Sequence, residues 1–146
     1  MIISISGKPG SGKSSVGKII AEKLNMKYYD MGHFRRQIAK KKGITINELN
    51  KIGEKDFSTD KEADDFIVEK AKQEDNFVIV SRTAFHFIPK SFKVFVDVDV
   101  DEGAKRIFKH SREQERYKDF HHTKESVDKR DLCDTRRYKK YYSIAV

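Results

Sequence analysis

A chain of 146 residues can bury a core of its own, so it needs neither a disulfide nor a metal ion to fold. Its 10 Phe and 6 Tyr exclude a disordered chain, and its single cysteine excludes both a disulfide framework and a multi-cysteine zinc site. No apolar run reaches the roughly 20 residues of a membrane helix. The N-terminal residues lack the basic segment of a signal peptide, so we expect a cytoplasmic protein, and we expect a monomer.

The formal net charge of +8 favours an anionic partner. This charge is uneven, because residues 54–75 carry nine acidic and four basic side chains. A protein that coats nucleic acid would rarely interrupt its basic surface in this way. We therefore favour a site where cationic side chains converge on small phosphates, and we expect neither a membrane nor a nucleic-acid partner.

Apolar runs typical of buried strands alternate along the chain with amphipathic segments typical of helices. The predicted strands cover residues 1–6, 28–30, 77–80 and 92–98. The predicted helices cover residues 14–24, 34–42, 101–112 and 124–142, and two more begin at the capping boxes Thr45/Glu48 and Thr59/Glu62. The first of these two is predicted to stop at Gly53, and residues 112–122 are predicted to form a mobile loop. This alternation predicts an α/β fold with a parallel sheet that is covered on both faces.

A phosphate-binding motif follows the first predicted strand and opens the first predicted helix. Its pattern is G-x-x-x-x-G-K-[ST], formed here by Gly7, Lys8, Pro9, Gly10, Ser11, Gly12, Lys13 and Ser14. Glycines let such a loop turn its N–H groups towards an anion, and the helix N-terminus adds a partial positive charge. We expect Lys13 to reach the β- and γ-phosphates of a nucleoside triphosphate, Ser15 to help bind the same nucleotide, and the Ser14 hydroxyl to hold Mg²⁺.

Arginines occur where a second phosphate could be held. Arg82 directly follows the third predicted strand, at the edge of the sheet where α/β proteins bind ligands. Arg36 follows the second strand, and the remaining candidates lie in the C-terminal half: Arg106, Arg130, Arg136 and Arg137. Phosphoryl transfer depends mainly on aligning two anions, which is work for Arg, Lys and Mg²⁺.

The order of these motifs resembles that of the small archaeal-type cytidylate kinases, within the nucleoside monophosphate kinase family. The resemblance covers nearly the whole chain. It rests on the segments MIISISGKPGSGKSSVGKIIAEKL, DMGHFRRQIAKKKGITINEL, Val80-Ser81-Arg82, VFVDVDVDEGAKRIF and the Arg-Asp-x-x-Asp-x-x-Arg pattern at residues 130–137. It implies a single P-loop NTPase domain over residues 1–146, with a three-layer, adenylate-kinase-like fold.

The resemblance also implies where the substrates bind. Residues 32–76 would form a helical acceptor-binding insertion, and residues 109–129 a lid. Arg36, Arg82 and Asp64 would contact the acceptor. Asp134 and Arg137 would face the acceptor or the transferring phosphate. Arg130 would reach from the lid to the triphosphate, and Arg106 would lie against the base of the donor.

By this resemblance the chain moves the γ-phosphoryl group of ATP to CMP or dCMP, with Mg²⁺. Three alternatives stay open: a related small kinase that acts on AMP or on a non-nucleotide acceptor, an RNA-associated protein that binds nucleotide without kinase activity, and an inactive kinase.

Overall fold

The computed structural model describes residues 1–110 and 119–145, and a sheet of four parallel strands lies at its centre. The strands are β1 (Ile2–Gly7), β2 (Lys27–Asp30), β3 (Phe77–Val80) and β4 (Phe92–Val96). Their order across the sheet is β2-β3-β1-β4. The central strand β1 pairs with both neighbours, with Ile3 opposite Val78 of β3 and Phe92 of β4. The predicted parallel sheet is therefore confirmed.

Helices cover both faces of this sheet. Within the described ranges they are α1 (Lys13–Lys23), α2 (Met31–Lys42), α3 (Ile46–Lys55), α4 (Ser58–Gln73), α5 (Ala84–Phe87), α6 (Val100–Lys109) and α7 (Phe120–Tyr142). None of these described helices combines the length and the hydropathy needed to cross a bilayer. The three layers are those of the predicted P-loop NTPase fold.

The strands alternate their side chains between two apolar clusters. On the face covered by α1, Ile5 and Val80 pack with Ala21. On the opposite face, Phe77 and Ile79 belong to a second cluster, which also contains residues of α2, α4 and α5. The strands β1 and β3 are therefore buried on both faces, as their unbroken apolar sequences indicate.

Local capping moves several helix boundaries away from their predicted positions. The helix α2 begins three residues early because the Asp30 carboxylate caps it, accepting from the His33 amide at 3.1 Å. The predicted Thr59/Glu62 capping box is wrong, because Thr59 lies inside α4 and donates to the Asp56 carbonyl instead. The Thr45/Glu48 capping box is confirmed, although α3 runs past Gly53.

Three further differences concern the second half of the chain. The strand β4 ends at Val96, two residues early, and the short helix α5 was not predicted. Residues 112–118 of the predicted mobile loop lie outside the described residues, as do residues 111–118 of the predicted lid. The remainder of that loop prediction is wrong, because α7 begins at Phe120, where the Asp119 carboxylate accepts from the His122 amide at 2.7 Å.

Candidate functional site

The phosphate loop joins β1 to α1 with a tightly wound backbone. Gly10 and Gly12 take φ values of +75° and +86°, which side chains of L-residues rarely adopt. Gly12 is also the N-cap residue of α1, and it has no side chain that could accept hydrogen bonds from the first N–H groups of the helix. The buried Ser11 hydroxyl has no hydrogen-bond partner within the described part of the chain. The loop therefore ends at a helix N-terminus that no side chain caps, the arrangement that binds phosphate.

Two functional side chains of α1 stand at the mouth of this loop. The Lys13 ammonium donates to the Lys8 carbonyl at 3.2 Å and so folds over the loop. The Ser14 hydroxyl donates to the Asp30 carboxylate at 2.7 Å, and Tyr28 donates to the same carboxylate oxygen at 3.1 Å. Lysine is thus placed against the phosphate loop, while hydroxyl and carboxylate oxygens meet beside it.

Asp30 remains ionised in this position. Burial by itself favours the neutral acid, but hydrogen bonds from Ser14, His33 and Tyr28, together with the charge of Arg36, lower the pKa of Asp30 overall. Ser14 and Asp30 supply hard oxygen atoms, which Mg²⁺ prefers, and Mg²⁺ needs few protein ligands because phosphate and water complete its shell. The described residues contain no group of three or more His, Cys, Asp or Glu side chains that could hold a metal alone. These residues therefore fit a magnesium ion that arrives with a phosphate ligand.

A cleft runs from the phosphate loop across the C-terminal edge of the sheet. Side chains from α2, α3, α4 and α7 line its far side, together with the residues that follow β3. Its polar lining comprises Lys13, Ser14, Asp30, Arg35, Arg36, Asn50, Asp60, Asp64, Ser81, Arg82, Thr83, Arg130, Asp134 and Tyr138. The structure thus brings Arg36, Arg82 and Arg130 into one cleft with Lys13.

Arg82 links the end of β3 to α7. Its guanidinium contacts Asp131 at 2.7 Å and Asp134 at 3.2 Å, and its side chain is only 15% exposed. The guanidinium is therefore held at the edge of the cleft by two carboxylates. A group fixed in this way can meet an anionic ligand with little loss of side-chain entropy.

Arg137 lies beneath the cleft rather than in its lining. Its side chain is 1% exposed and donates to Asp60 at 2.7 Å, and it forms an ion pair with Asp134 at 2.8 Å. Arg35 reaches Asp60 from the other side at 3.1 Å and also donates to Asn50. Asp134 is buried, which favours its neutral form, but Arg137 and Arg82 lower its pKa overall. The cleft thus rests on a buried network of alternating charges.

Asp64 differs from the other carboxylates of the cleft. Burial raises its pKa to about 6, although hydrogen bonds from Tyr142 and Thr83 work in the opposite direction. The Thr83 hydroxyl donates to one carboxylate oxygen at 2.9 Å, and the Tyr142 hydroxyl donates to the other. Asp64 is therefore oriented from two sides.

Arg106 and Lys8 are among the predicted donor-side residues that lie outside the cleft lining. Arg106 of α6 approaches the Gly10 carbonyl at 3.4 Å and pairs with Glu102 at the same distance, so it flanks the phosphate loop. Lys8 projects from the loop towards Asp97, with 3.1 Å between the charged atoms. The Arg106 side chain thus contacts the loop backbone, and the Lys8 side chain contacts the segment that follows β4.

The sequence matches the model of the "Cytidylate kinase-like family" over residues 2–146. The chain belongs to this family. It is 36% identical to the cytidylate kinase of Sulfurisphaera tokodaii, in an alignment that covers 99% of this chain and 78% of that protein. It is 35% identical to the cytidylate kinase of Archaeoglobus fulgidus, over 100% of this chain and 79% of the relative.

Solved structures similar to this cytidylate kinase-like chain share its fold. An uncharacterized protein from Eubacterium ventriosum superposes with a TM-score of 0.67 at 23% identity, covering 99% of this chain and 80% of that one. Shikimate kinase from Bacteroides thetaiotaomicron gives a TM-score of 0.65 at 20% identity, covering 99% and 83%. These likenesses support the P-loop kinase fold.

Sequence reasoning missed three charged residues of this cytidylate kinase-like site: Asp30, Arg35 and Asp60. Asp30 ends β2 at the same edge of the sheet as Arg82, so its position was a usable signal. The sequence pattern had no comparable signal for Arg35 and Asp60, because each looks like one more charge in a charged helix. Only the packing of α2, α4 and α7 brings them together.

Proposed function

We propose that this protein transfers the γ-phosphoryl group of ATP to CMP or dCMP and releases ADP with CDP or dCDP. The observation that carries the proposal is a single cleft lined by both the phosphate loop and arginines from other elements. The relatives support cytidylate as the acceptor, since those that match nearly the full chain at 35% and 36% identity are named cytidylate kinases.

The donor end of the cleft is the phosphate loop. Its amides and Lys13 would hold the β- and γ-phosphates, with Arg106 alongside the loop. Ser14 would hold Mg²⁺, with Asp30 orienting the Ser14 hydroxyl or a water molecule on the metal. A bound Mg²⁺ supplies charge neutralisation on the phosphate oxygens.

The acceptor end is the cleft between α2, α4 and the residues after β3. Arg36 and Arg82 line it and would hold the acceptor phosphate, while Asp64 would face the nucleoside. The bond from the γ-phosphorus to the β-phosphate bridging oxygen breaks, and a bond to an acceptor phosphate oxygen forms. That acceptor oxygen is already anionic, so no general base is needed.

The residues on α7 divide into two groups. Arg130 lines the cleft and would approach the transferring phosphate. Asp134 and Arg137 would act mainly through position, because Asp134 holds Arg82 and Arg137 neutralises the buried carboxylates below the cleft. This arrangement assigns alignment to the charged network and leaves direct phosphate contact to Arg36, Arg82 and Arg130.

A coupled assay for ADP release tests the proposal. With ATP and Mg²⁺, we compare CMP, dCMP, UMP, AMP, GMP and shikimate, the last because fold neighbours include shikimate kinases. We expect the highest kcat/KM with CMP or dCMP. Lys13→Ala should lower kcat at least a hundredfold, because it removes the cation beside the loop, whereas exposed Lys18→Ala on the same helix should leave it unchanged.

Two results would contradict the proposal. Preference for AMP or shikimate would assign the cleft to a different acceptor. Steeply salt-dependent RNA binding without ADP release from any acceptor would favour a nucleotide-binding protein that is not a kinase.

A further inference from the structure

The C-terminal end of α7 lies beside Asp64, a residue that lines the cleft. There the Tyr142 hydroxyl donates a hydrogen bond to the Asp64 carboxylate. The other oxygen of this carboxylate accepts from Thr83 at 2.9 Å. Burial raises the pKa of Tyr142, and so does the nearby Asp64 carboxylate, so the phenol keeps its proton at neutral pH and stays a donor. Both carboxylate oxygens are therefore held by neutral donors.

Aromatic packing fixes the ring of Tyr142. Phe87 meets it edge-on with ring centroids 4.9 Å apart, Phe57 lies at 5.8 Å and His86 at 6.1 Å. These neighbours come from α5 and from the residue that precedes α4. The hydroxyl therefore reaches Asp64 from a ring whose orientation is set by other elements, and little entropy is lost in making the hydrogen bond.

We infer that Tyr142 is a positioning residue for the acceptor, holding the Asp64 carboxylate in the orientation that accepts a hydrogen bond from an N–H or O–H of the acceptor nucleoside. This inference rests on the proposed function, because the acceptor is taken to lie in the cleft that Asp64 lines. Each carboxylate oxygen can accept more than one hydrogen bond, so Thr83 and Tyr142 leave capacity for a ligand.

The hydrogen bond from Tyr142 opposes the effect of burial on the ionisation of Asp64, and neighbouring charges act on it as well. Asp60 on the same helix opposes ionisation and Arg35 on α2 favours it, after the larger effect of burial. On α7, Tyr142 bonds to Asp64. The α7 groups that line the same cleft as Asp64 are Arg130, Asp134 and Tyr138, and His86 on α5 contacts the Tyr142 ring. Loss of the Tyr142 hydroxyl removes a donor to the carboxylate, so the pKa of Asp64 should rise above 6.

The test compares Tyr142→Phe with Tyr141→Phe. Tyr141 is adjacent, and its hydroxyl donates to the Gly53 carbonyl at 2.7 Å, so the control also removes one phenol hydrogen bond from the end of α7. We expect Tyr142→Phe to raise KM for CMP about tenfold at pH 7, since a hydrogen bond to a charged group is lost. KM for ATP should stay unchanged, as should both values in Tyr141→Phe.

The pH profile separates positioning from loss of stability. As the pH is lowered, Asp64 becomes protonated and KM for CMP should rise. In Tyr142→Phe this rise should begin at a higher pH than in the wild type, because the pKa of Asp64 is higher in the variant. The phosphate of CMP titrates near pH 6 as well, but it does so equally with every variant, so the difference between profiles is the measurement. Equal KM values and superimposable profiles for the two Phe variants would overturn the inference.

Carboxyl ¹³C NMR of Asp64 gives a second measurement that needs no kinase activity. We expect the Asp64 carbon to titrate near pH 6 in the wild type and at a higher pH in Tyr142→Phe. An unchanged titration would overturn the inference even if CMP is phosphorylated. Conversely, a raised titration in a protein that does not phosphorylate CMP would refute the proposed function and retain the Tyr142–Asp64 coupling.

Discussion

Arg137 shows how a charged side chain can be buried without being left unpaired. It meets Asp60 at 2.7 Å and Asp134 at 2.8 Å while exposing 1% of its side-chain surface. Its removal would leave two carboxylates in a region that water scarcely reaches. An unpaired buried charge destabilises the fold by more free energy than an intact buried ion pair contributes to stability. The network therefore affects stability mainly through the unpaired charges that its disruption would leave.

The first prediction compares two neighbouring arginines. Arg137→Ala should lower the free energy of unfolding by about 3–5 kcal/mol, because Asp60 and Asp134 lose their shared partner. Arg136→Ala should change it by less than about 0.5 kcal/mol, because Arg136 is exposed and lies 3.9 Å from its partner Glu54. Urea unfolding followed by circular dichroism measures both. Equal losses would show that the network contributes no more than a surface contact.

At the level of elements, α6 supports the phosphate loop through a contact between glycines. A Cβ on Gly103 would lie 2.7 Å from the Pro9 carbonyl oxygen, and a Cβ on Gly10 would lie 2.2 Å from the Gly103 carbonyl oxygen. Neither position has room for a side chain unless the backbone moves. The donor loop therefore owes its shape partly to a helix that begins about ninety residues later.

The second prediction tests this contact. Gly103→Ala should displace the Pro9 carbonyl and raise KM for ATP about fivefold or more, in line with the roughly 1–3 kcal/mol cost of overpacking. KM for CMP should change little, because the acceptor half of the cleft is not touched. Lys105→Ala, exposed on the same helix, is the control. Steady-state kinetics measure the effect, and equal changes in both KM values would point to general destabilisation instead.

Capping explains why some element boundaries were predictable and others were not. In the Thr45/Glu48 box, each side chain accepts a hydrogen bond from the backbone amide of the other residue, so the local sequence was enough to recognise it. Thr59 and Glu62 have the same spacing, yet Thr59 is buried inside α4 and α4 begins before it. Tertiary packing thus overrode an equally good local signal.

At the scale of the whole molecule, α7 connects the two ends of the cleft. It pairs with α6 near its start, where Lys124 meets Asp101 at 2.7 Å. Near its end, Lys140 donates to the Glu54 carbonyl of α3 at 3.0 Å. Between these points it carries Arg130, Asp134 and Arg137. One long helix therefore links α6, which contacts the phosphate loop, to α3.

The third prediction concerns the pH dependence of folding. Asp64 titrates near pH 6 in the folded protein and near pH 4 in the unfolded chain, so the folded state binds more protons between these values. Its contribution to stability therefore falls as pH rises from 4 to 6, by about 3 kcal/mol in total. Above pH 6 the cost of keeping an ionised Asp64 buried is fully present.

Asp64→Asn removes that titration. The free energy of unfolding of Asp64→Asn minus that of the wild type should increase by about 3 kcal/mol between pH 4 and pH 6.5, because only the wild type loses stability over this range. Asp65→Asn, exposed on the same helix, should differ from the wild type by a nearly constant amount. Urea titrations at half-unit pH intervals give both curves. Parallel curves for wild type and Asp64→Asn would mean that Asp64 has an ordinary pKa.

The sequence by itself determined the fold class and located the phosphate-loop motif. The phosphate motif is one contiguous segment, so it can be recognised from the local sequence. Strands that are buried on both faces consist of unbroken apolar residues, so they can be recognised in the same way. Arg82 was singled out because it directly follows a strand, and Arg36 and Arg130 were assigned by the family resemblance; the structure places all three in the lining of one cleft.

Only the tertiary structure decided which charges support the cleft and which line it. Arg137 was expected to face the substrates, and the structure buries it beneath the cleft lining, against Asp60 and Asp134. Asp64 and Tyr142 are 78 positions apart, and nothing in either segment indicates the other. Contacts between distant helices depend on how the helix faces pack. The sequence pattern of a charged helix face is the same whether that face is covered by water or by another helix, so the pattern does not predict these contacts.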